Sequence, residues 1–393
     1  MSFDFELSPV VVEWREGIRA LVDEVAIPLE QAAFAHGVHD ALRLELQAEA
    51  RKRDVWAPQL PKELGGGGLS FTDIAVLLEE AGRSLLGALA INAAAPDEGN
   101  LHLLNKIASP RQRDRYLIPL ASGEVRSCFA MTEPSPGAGS DPSLLTTTCT
   151  PRSDGTWHIT GRKHLITGAD GASFCIVMSA GGRDDQTGAT MFVLDMDTPG
   201  IQLGSHARTI DTTMVGGHCQ LDFDVVVGPD AVLGEPGEGF RYAQTRLAPA
   251  RLTHCMRWLG AAQRAHEIAV RRAAGRPLFG SPLTELGMAQ ALIAENEVDL
   301  AAARSLLWHA AWRVQRGENA GQASSQAKVF ISEATGRVVD RAVQLAGGLG
   351  TSEELVIGRI YADIRAFRIY DGATEVHKMS LARRAVRRIA ADA

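Results

Sequence analysis

No stretch of this 393-residue chain approaches the ~20 consecutive apolar residues that a helix needs to span a bilayer. Residues 1–10 carry Asp4 and Glu6 and lack the basic-then-apolar order of a secretory signal. These absences predict a cytoplasmic protein without an integral membrane segment. No broad basic stripe occurs, and the net charge is −7, which argues against a nucleic-acid partner. Only six of the 40 basic residues are lysine, a bias that carries no mechanism by itself. Cysteine is sparse: Cys128, Cys149, Cys175, Cys219 and Cys255 are odd in number and never paired as C-x-x-C. Nothing supports a disulfide framework or zinc site, and buried free thiols are expected. There is no G-x-G-x-x-G after a strand, no Walker A loop and no H-E-x-x-H. The eleven histidines show no metal-ligand spacing, so no metal is expected.

What is present reads in three zones. Chains beyond roughly 250–300 residues divide their core, and 45% hydrophobic with 22% charged residues is a globular balance. Residues 1–125 have helical periodicity, with Val11, Ile18, Leu21, Val22 and Val25 spaced by three and four. Leu42, Leu44, Leu46 and Ala50 predict another helix, and Phe71 to Leu89 a third, capped near Thr72 or Asp73. Residues 126–235 alternate short β-rich runs with Gly, Pro and Asp: Ser127–Thr132, Trp157–Gly161, Phe174–Ser179, Thr190–Asp195 and Gln220–Phe223. That spacing predicts a small antiparallel barrel or sandwich. Residues 236–393 return to long amphipathic stretches at Gly239–Ala274, Leu283–Gly317 and Ala320–Leu345, with a short arginine-rich helix at Leu381–Ala391. The expected fold class is α+β: a helical N-terminal domain, a central β-barrel or sandwich, and a C-terminal four-helix bundle.

Residues 132–141, TEPSPGAGSD, end a β-run in a loop dense in glycine, proline and hydroxyls. Such a loop offers backbone N–H groups and close approach to a ligand, although an ordinary turn has the same composition. Ser325 and Lys328 match S-x-x-K, but inside a helix and without the partner motifs of a serine acylase. Four further segments follow in order: GRKHLITG at 161–168, RPLFG at 276–280, QLAGGLG at 344–350 and IYDG at 369–372.

Together with the loop at 132–141, these segments resemble the signatures of the acyl-CoA dehydrogenase family over the whole chain. The loop is two residues longer than the family's T-E-P-x-A-G-S-D. The resemblance implies FAD as cofactor. Met131, Thr132, Gly139 and Ser140 would line the flavin and the thioester end of the substrate. Ile166 and Thr167 would lie against the isoalloxazine ring. Arg276, Phe279, Gln344, Gly347 and Gly348 resemble positions that hold the pyrophosphate and adenosine of FAD from a neighbouring subunit, which makes a homodimer or homotetramer part of the site. An arginine fork suits a pyrophosphate, and paired glycines permit close backbone approach. Arg251 matches a position facing the CoA portion, alongside Ser140, Tyr370, Asp371 and Gly372 as substrate contacts.

In the family a carboxylate removes the α-proton of an acyl thioester while hydride passes from the β-carbon to flavin N5. The family's usual Glu is Asp371 here, shorter by one bond of about 1.5 Å. Asp371 and Gly372 are the expected catalytic positions, although Asp is also a favoured N-cap for a helix beginning near Thr374. The alternative base position holds Ala250. Leu165 replaces a tryptophan and Ala373 a threonine of the family pattern. Arg383, Arg384, Arg387 and Arg388 read as a solvated helix end. The leading expectation is α,β-dehydrogenation of an acyl-CoA, with an electron-transfer flavoprotein as acceptor. A nitroalkane oxidase or flavin monooxygenase on the same scaffold is the alternative, and a non-catalytic FAD or acyl-CoA binding protein stands further off.

Overall fold

The computed structural model describes residues 6–182, 188–318 and 320–391. The chain begins with eight helices: α1 (Pro9–Leu21), α2 (Ile27–His36), α3 (Asp40–Lys52), α4 (Phe71–Ala81), α5 (Gly87–Ala90), α6 (Asp97–Ile107), α7 (Pro110–Gln112) and α8 (Ile118–Ala121). Helix α1 starts where Ser8 caps the Val11 N–H and Pro9 takes the first turn, where its missing N–H costs nothing. One wide turn joins α1 to α2, with the Ile27 N–H reaching back to the Val22 carbonyl. It comes immediately before Pro28, which cannot continue a regular bond ladder.

Helix α4 departs from the expected span. Its N-cap is Ser70, and Asp73 closes a capping box from the third helical position. It ends at Ala81 rather than running to Leu89. The next residue, Gly82, lies against the backbone of a crossing helix: a Cβ there would sit 2.2 Å from the Arg257 carbonyl oxygen. Gly260 is the reciprocal contact, its Cβ position 1.9 Å from the Glu79 carbonyl oxygen. Only glycine at both places lets the two backbones approach so closely.

The middle domain contains β1 (Ser127–Ala130), β2 (Thr148–Pro151), β3 (Trp157–Thr167), β4 (Phe174–Ala180), β5 (Ala189–Asp195), β6 (Ile201–His206) and β7 (His218–Val227). They form one sheet in the order β1-β4-β2-β3-β7-β6, with β5 also paired to β4. It curls round its own core, which gathers Cys128, Ile159, Ile166, Val177, Phe192 and Phe223 from opposite parts of the sheet. The sheet is mixed rather than antiparallel throughout, because β1 and β2 both pair with β4 in parallel. Strands β4 and β5 are buried on both faces, since Phe174, Ile176, Met191 and Val193 pack into the helical core. All five cysteines are free and buried, as expected.

The last domain holds α9 (Gly239–Ala274), the small hairpin of β8 (Pro277–Leu278) and β9 (Ser281–Pro282), α10 (Gly287–Gln315), α11 (Ala320–Ala346), α12 (Ile357–Ala366) and α13 (Thr374–Ala391). Three long helices pack together, α12 lies on α9 and α11, and α13 lies on α11. The bundle's last helix starts at Thr374, not Leu381. Its exposed end carries Arg383, Arg384, Arg387 and Arg388. No helix among the described residues is long and apolar enough to cross a membrane.

Candidate active site

Two buried networks join the domains around a common cleft. Arg246 of α9 donates to Asn100 Oδ1 of α6 at 2.8 Å, and Asn100 in turn donates to Ser127 Oγ of β1 at 2.9 Å. The Arg246 guanidinium also stacks 4.1 Å from the Phe129 ring centroid. On the other side, Asp363 of α12 accepts bonds from the Thr212 N–H and the Thr213 hydroxyl in the loop before β7. The cleft between them has a volume of about 800 Å³ including its open mouth. Small residues Gly82, Ala88, Ala94 and Ala261 form much of its wall, with His254, Arg257, Trp258 and Tyr370 on one side.

Asp371 adjoins that polar side, in the loop between α12 and α13. Its φ is +53° and that of Gly372 is +95°, so two successive residues are left-handed. For a non-glycine residue this is a costly conformation that its surroundings must hold. They do so through the carbonyls. Arg251 Nε donates to the Asp371 carbonyl oxygen at 2.9 Å, and His377 Nε2 is 3.2 Å from the same atom. Lys328 Nζ donates to the Gly372 carbonyl. His377 is itself held by Ser325 Oγ at 3.0 Å. Among the described residues neither the Asp371 nor the Gly372 N–H meets an acceptor. The Asp371 carboxylate does not cap α13; its Oδ2 faces His254 Nε2 at 3.4 Å.

Electrostatics around the loop are governed by burial. Burial pushes Lys328 down to about 8, against the opposing pull of Asp371. Burial, with Arg251 and Lys328 adding, pushes His377 down to about 4, so it is neutral near pH 7. His254 is held well below its ordinary value by burial, then by Arg257, Arg246 and Lys328. Tyr370 is equally enclosed: its hydroxyl accepts from Trp258 Nε1 at 2.6 Å.

The loop at 132–141 and strand β3 come together through one ion pair. Lys163 Nζ lies 2.9 Å from Glu133 Oε1, with both side chains fully buried. Glu133 also accepts from the Ala138, Thr146 and Thr147 N–H groups. This leaves Thr132, Gly139 and Ser140 exposed and Met131 half-buried. A Cβ added at Gly139 would meet nothing within 4 Å. Strand β3 bulges against β7 between Lys163 and Ile166, and Leu165 takes φ +59°. The bulge re-aims the strand end. Leu165 and Thr167 face out, while Ile166 is buried in the sheet's core. The Ile166 side chain, expected at the ring, is buried in the sheet core, and strand alternation exposes Leu165 and Thr167 on the opposite face. Thr167 Oγ1 is 3.0 Å from His218 Nδ1, and His218 Nε2 is 3.1 Å from Asp211 Oδ2.

Arg276, Phe279, Gln344, Gly347 and Gly348 gather elsewhere, past the end of α9. Arg276 Nη1 lies 3.4 Å from a Cβ built at Gly347, and Phe279 stands 95% exposed at the tip of the β8–β9 hairpin. Arg276 has no carboxylate partner among the described residues. An exposed hydroxyl-lined loop, an outward Thr167 and a free arginine beside paired glycines suit a dinucleotide's ring, ribityl and phosphate parts.

Sequence reading gave no role to His254, Arg257, His377 and His218, and it set Ser325 and Lys328 aside as an unsupported S-x-x-K match. A signal was there for several: Arg251, His254 and Arg257 recur every three residues, as do Ser325 and Lys328. Polar side chains on the buried face of a helix require partners.

This fold and site define a flavin-dependent dehydrogenase. Residues 11–124, 128–226 and 237–386 match the N-terminal, middle and C-terminal domains of acyl-CoA dehydrogenase. FadE2 of Mycobacterium tuberculosis, assigned as an acyl-CoA dehydrogenase, is 34% identical over 97% of this chain and 96% of its own. (R)-benzylsuccinyl-CoA dehydrogenase of Thauera aromatica is 32% identical with the same coverage, 97% and 96%. A solved Mycobacterium abscessus structure assigned to acyl-CoA dehydrogenases superposes with a TM-score of 0.91 at 34% identity, covering 98% of this chain and 100% of that one. The chain belongs to the acyl-CoA dehydrogenase family. It is an oxidoreductase of that type, and its cofactor is FAD.

Proposed function

We propose that the protein converts an acyl-CoA thioester to its 2-enoyl-CoA, with Asp371 as the base that removes the α-proton. The carrying observation is the arrangement of the Asp371–Gly372 backbone. Arg251, His377 and Lys328 occupy its carbonyls, while its N–H groups meet no acceptor among the described residues. Such N–H groups are available to a thioester oxygen that gains charge as the α-proton leaves. The carboxylate sits on the same residue, so proton removal and charge stabilisation share one rigid loop. FAD, when bound, supplies the acceptor for the β-hydride. Met131, Thr132, Gly139, Ser140, Leu165 and Thr167 would hold its ring end, and Ser140, Arg251 and Tyr370 the thioester.

The second half of the cofactor set supports a shared site. The 36 residues of α9 make a rod of about 54 Å. Phe129 and Asp371 meet its first half, whereas Arg276 lies beyond its far end. From Arg251, which meets Asp371, to Arg276 is 25 residues or about 37 Å of helix, farther than one FAD reaches, so Arg276, Phe279, Gln344, Gly347 and Gly348 would serve the flavin of a second copy in a homodimer or homotetramer. An electron-transfer flavoprotein is the proposed electron acceptor.

The test is anaerobic flavin bleaching by acyl-CoAs varied in length and branching, with Asp371→Asn alongside. The variant is expected to slow reduction by ~10²–10⁴, the range of a lost general base. Reduction at the parent rate would remove Asp371 from the mechanism. Oxygen uptake with nitroethane, without bleaching by any acyl-CoA, would favour a nitroalkane oxidase instead.

A further inference from the structure

His254 Nε2 lies 3.4 Å from Asp371 Oδ2, and His254 belongs to none of the five motif segments. Its proton can be placed from its neighbours. Arg257 Nη2 lies 2.9 Å from His254 Nδ1, and an arginine can only donate. Nδ1 therefore offers a lone pair. Tyr370 Oη, 3.3 Å from the same nitrogen, agrees: it already accepts from Trp258 and has its own proton to give. The imidazole is buried, and the cations around it keep it neutral. Its one N–H is consequently on Nε2, the nitrogen that lies 3.4 Å from Asp371 Oδ2, close enough for a charge–dipole contact and short of a direct hydrogen bond.

We propose that His254 is a positioning residue for Asp371: its Nε2–H holds one carboxylate oxygen and leaves the other to take the substrate's α-proton. The inference rests on Asp371 being the base. In the step itself the substrate's C–H bond breaks, an O–H bond forms on the free oxygen of Asp371, and the His254 proton stays where it is. The arrangement also accounts for the short side chain. A carboxylate on a rigid left-handed loop needs one fixed donor rather than an extra methylene to settle its aim. Arg257 acts at one remove, fixing the tautomer, and is anchored by its bond to the Ala93 carbonyl.

The charged groups facing this pair are Arg246, Arg251 and Arg257 on α9, Glu98 on α6, Lys328 on α11, and His377 and Glu375 on α13, with the Tyr370 hydroxyl beside them. Replacing His254 also takes the acceptor from Arg257 and Tyr370, so the contrast between the leucine and glutamine variants, rather than either alone, reports the contact to Asp371.

The experiment titrates holoenzyme with 3-thiabutyryl-CoA, whose α-proton is acidic but which does not proceed to enoyl product. Its deprotonation is read as long-wavelength charge-transfer absorbance against pH, and the short acyl group fits a pocket of any depth. His254→Leu is expected to move the titration up by about one pH unit, the loss of one N–H contact to a charged group. His254→Gln, whose amide N–H can replace Nε2–H, is expected to restore it. His254→Asn is too short and should follow the leucine variant. Saturating flavin reduction by an active acyl-CoA should fall about tenfold below the shifted midpoint in His254→Leu, with its dissociation constant unchanged. A leucine or asparagine variant that titrates like the parent overturns the role of His254. A band that forms undiminished in Asp371→Asn, or a parent that forms none, instead removes Asp371 as the base and the inference with it.

Discussion

Glu133 and Lys163 stand 30 residues apart in the chain and form an ion pair with no solvent exposure on either side. The first belongs to the loop at 132–141 and the second to strand β3, so the pair ties these two segments together. Burial alone would raise the Glu133 pKa. Hydrogen bonds from Thr147, Lys163 and Thr146 outweigh it and hold the carboxyl well below the usual range.

Glu133→Gln should therefore cost about 3–5 kcal/mol, because it leaves the Lys163 ammonium buried without a counter-charge. Thermal unfolding of the apoprotein measures this directly. The native pKa is depressed, so the carboxylate's contribution is present above the ordinary value of about 4.3 and is lost as pH falls below it. Unfolding followed from pH 7 down to pH 3 should show the parent losing stability faster than the variant.

Lys328 gives a prediction of opposite slope. Its pKa is about 8 in the folded protein and about 10.4 when unfolded. Between those values the unfolded chain binds more protons, so this group makes stability rise with pH. In the same window its donation to the Gly372 carbonyl loses its charge. Lys328→Met should remove that stability slope and slow flavin reduction about tenfold at pH 7, as the Asp371–Gly372 backbone relaxes.

The Asp211–His218–Thr167 chain orients the one hydroxyl that strand β3 presents beside Leu165. Asp211 accepts from His218 Nε2, which leaves Nδ1 to receive the Thr167 proton. The threonine oxygen is then left as an acceptor on the exposed face of the strand. His218→Leu frees that hydroxyl, and the midpoint potential of bound FAD should shift by about 30 mV, equivalent to ~1.4 kcal/mol for two electrons. Spectroelectrochemical titration reads the shift, and an unchanged potential would separate Thr167 from the flavin.

Arg276→Ala alters a residue beyond the far end of α9 from Asp371. It should leave the thermal unfolding of the apoprotein within about 0.5 kcal/mol, as for an ordinary surface change, yet lower FAD retention on gel filtration at least tenfold. Full retention by a monomeric species would refute the shared site.

The three-zone order was legible because helical period, strand punctuation and turn residues are properties of adjacent positions, whereas the five motifs were legible only through their resemblance to a known family. The capping of α4 was read two residues late because Ser70, Thr72 and Asp73 are all good caps, and only the fold selects among them. The break after Ala81 was invisible for a different reason. It depends on Gly82 meeting the backbone at Arg257, far along the chain.

The same division runs through the site. Through its resemblance to the family, the sequence marked Asp371 as the expected base, Ala250 as no rival to it, and Arg276 with paired glycines as expected phosphate contacts. Tertiary structure decided what those residues face. It turned Ile166 into the core and Thr167 outward through a bulge, and it joined Glu133 to Lys163. It also set His254, Arg251 and Lys328 from two separate helices around Asp371. Those outcomes depend on burial and close approach between distant segments, where each donor must find an acceptor once water is gone. Local periodicity carries no record of that pairing.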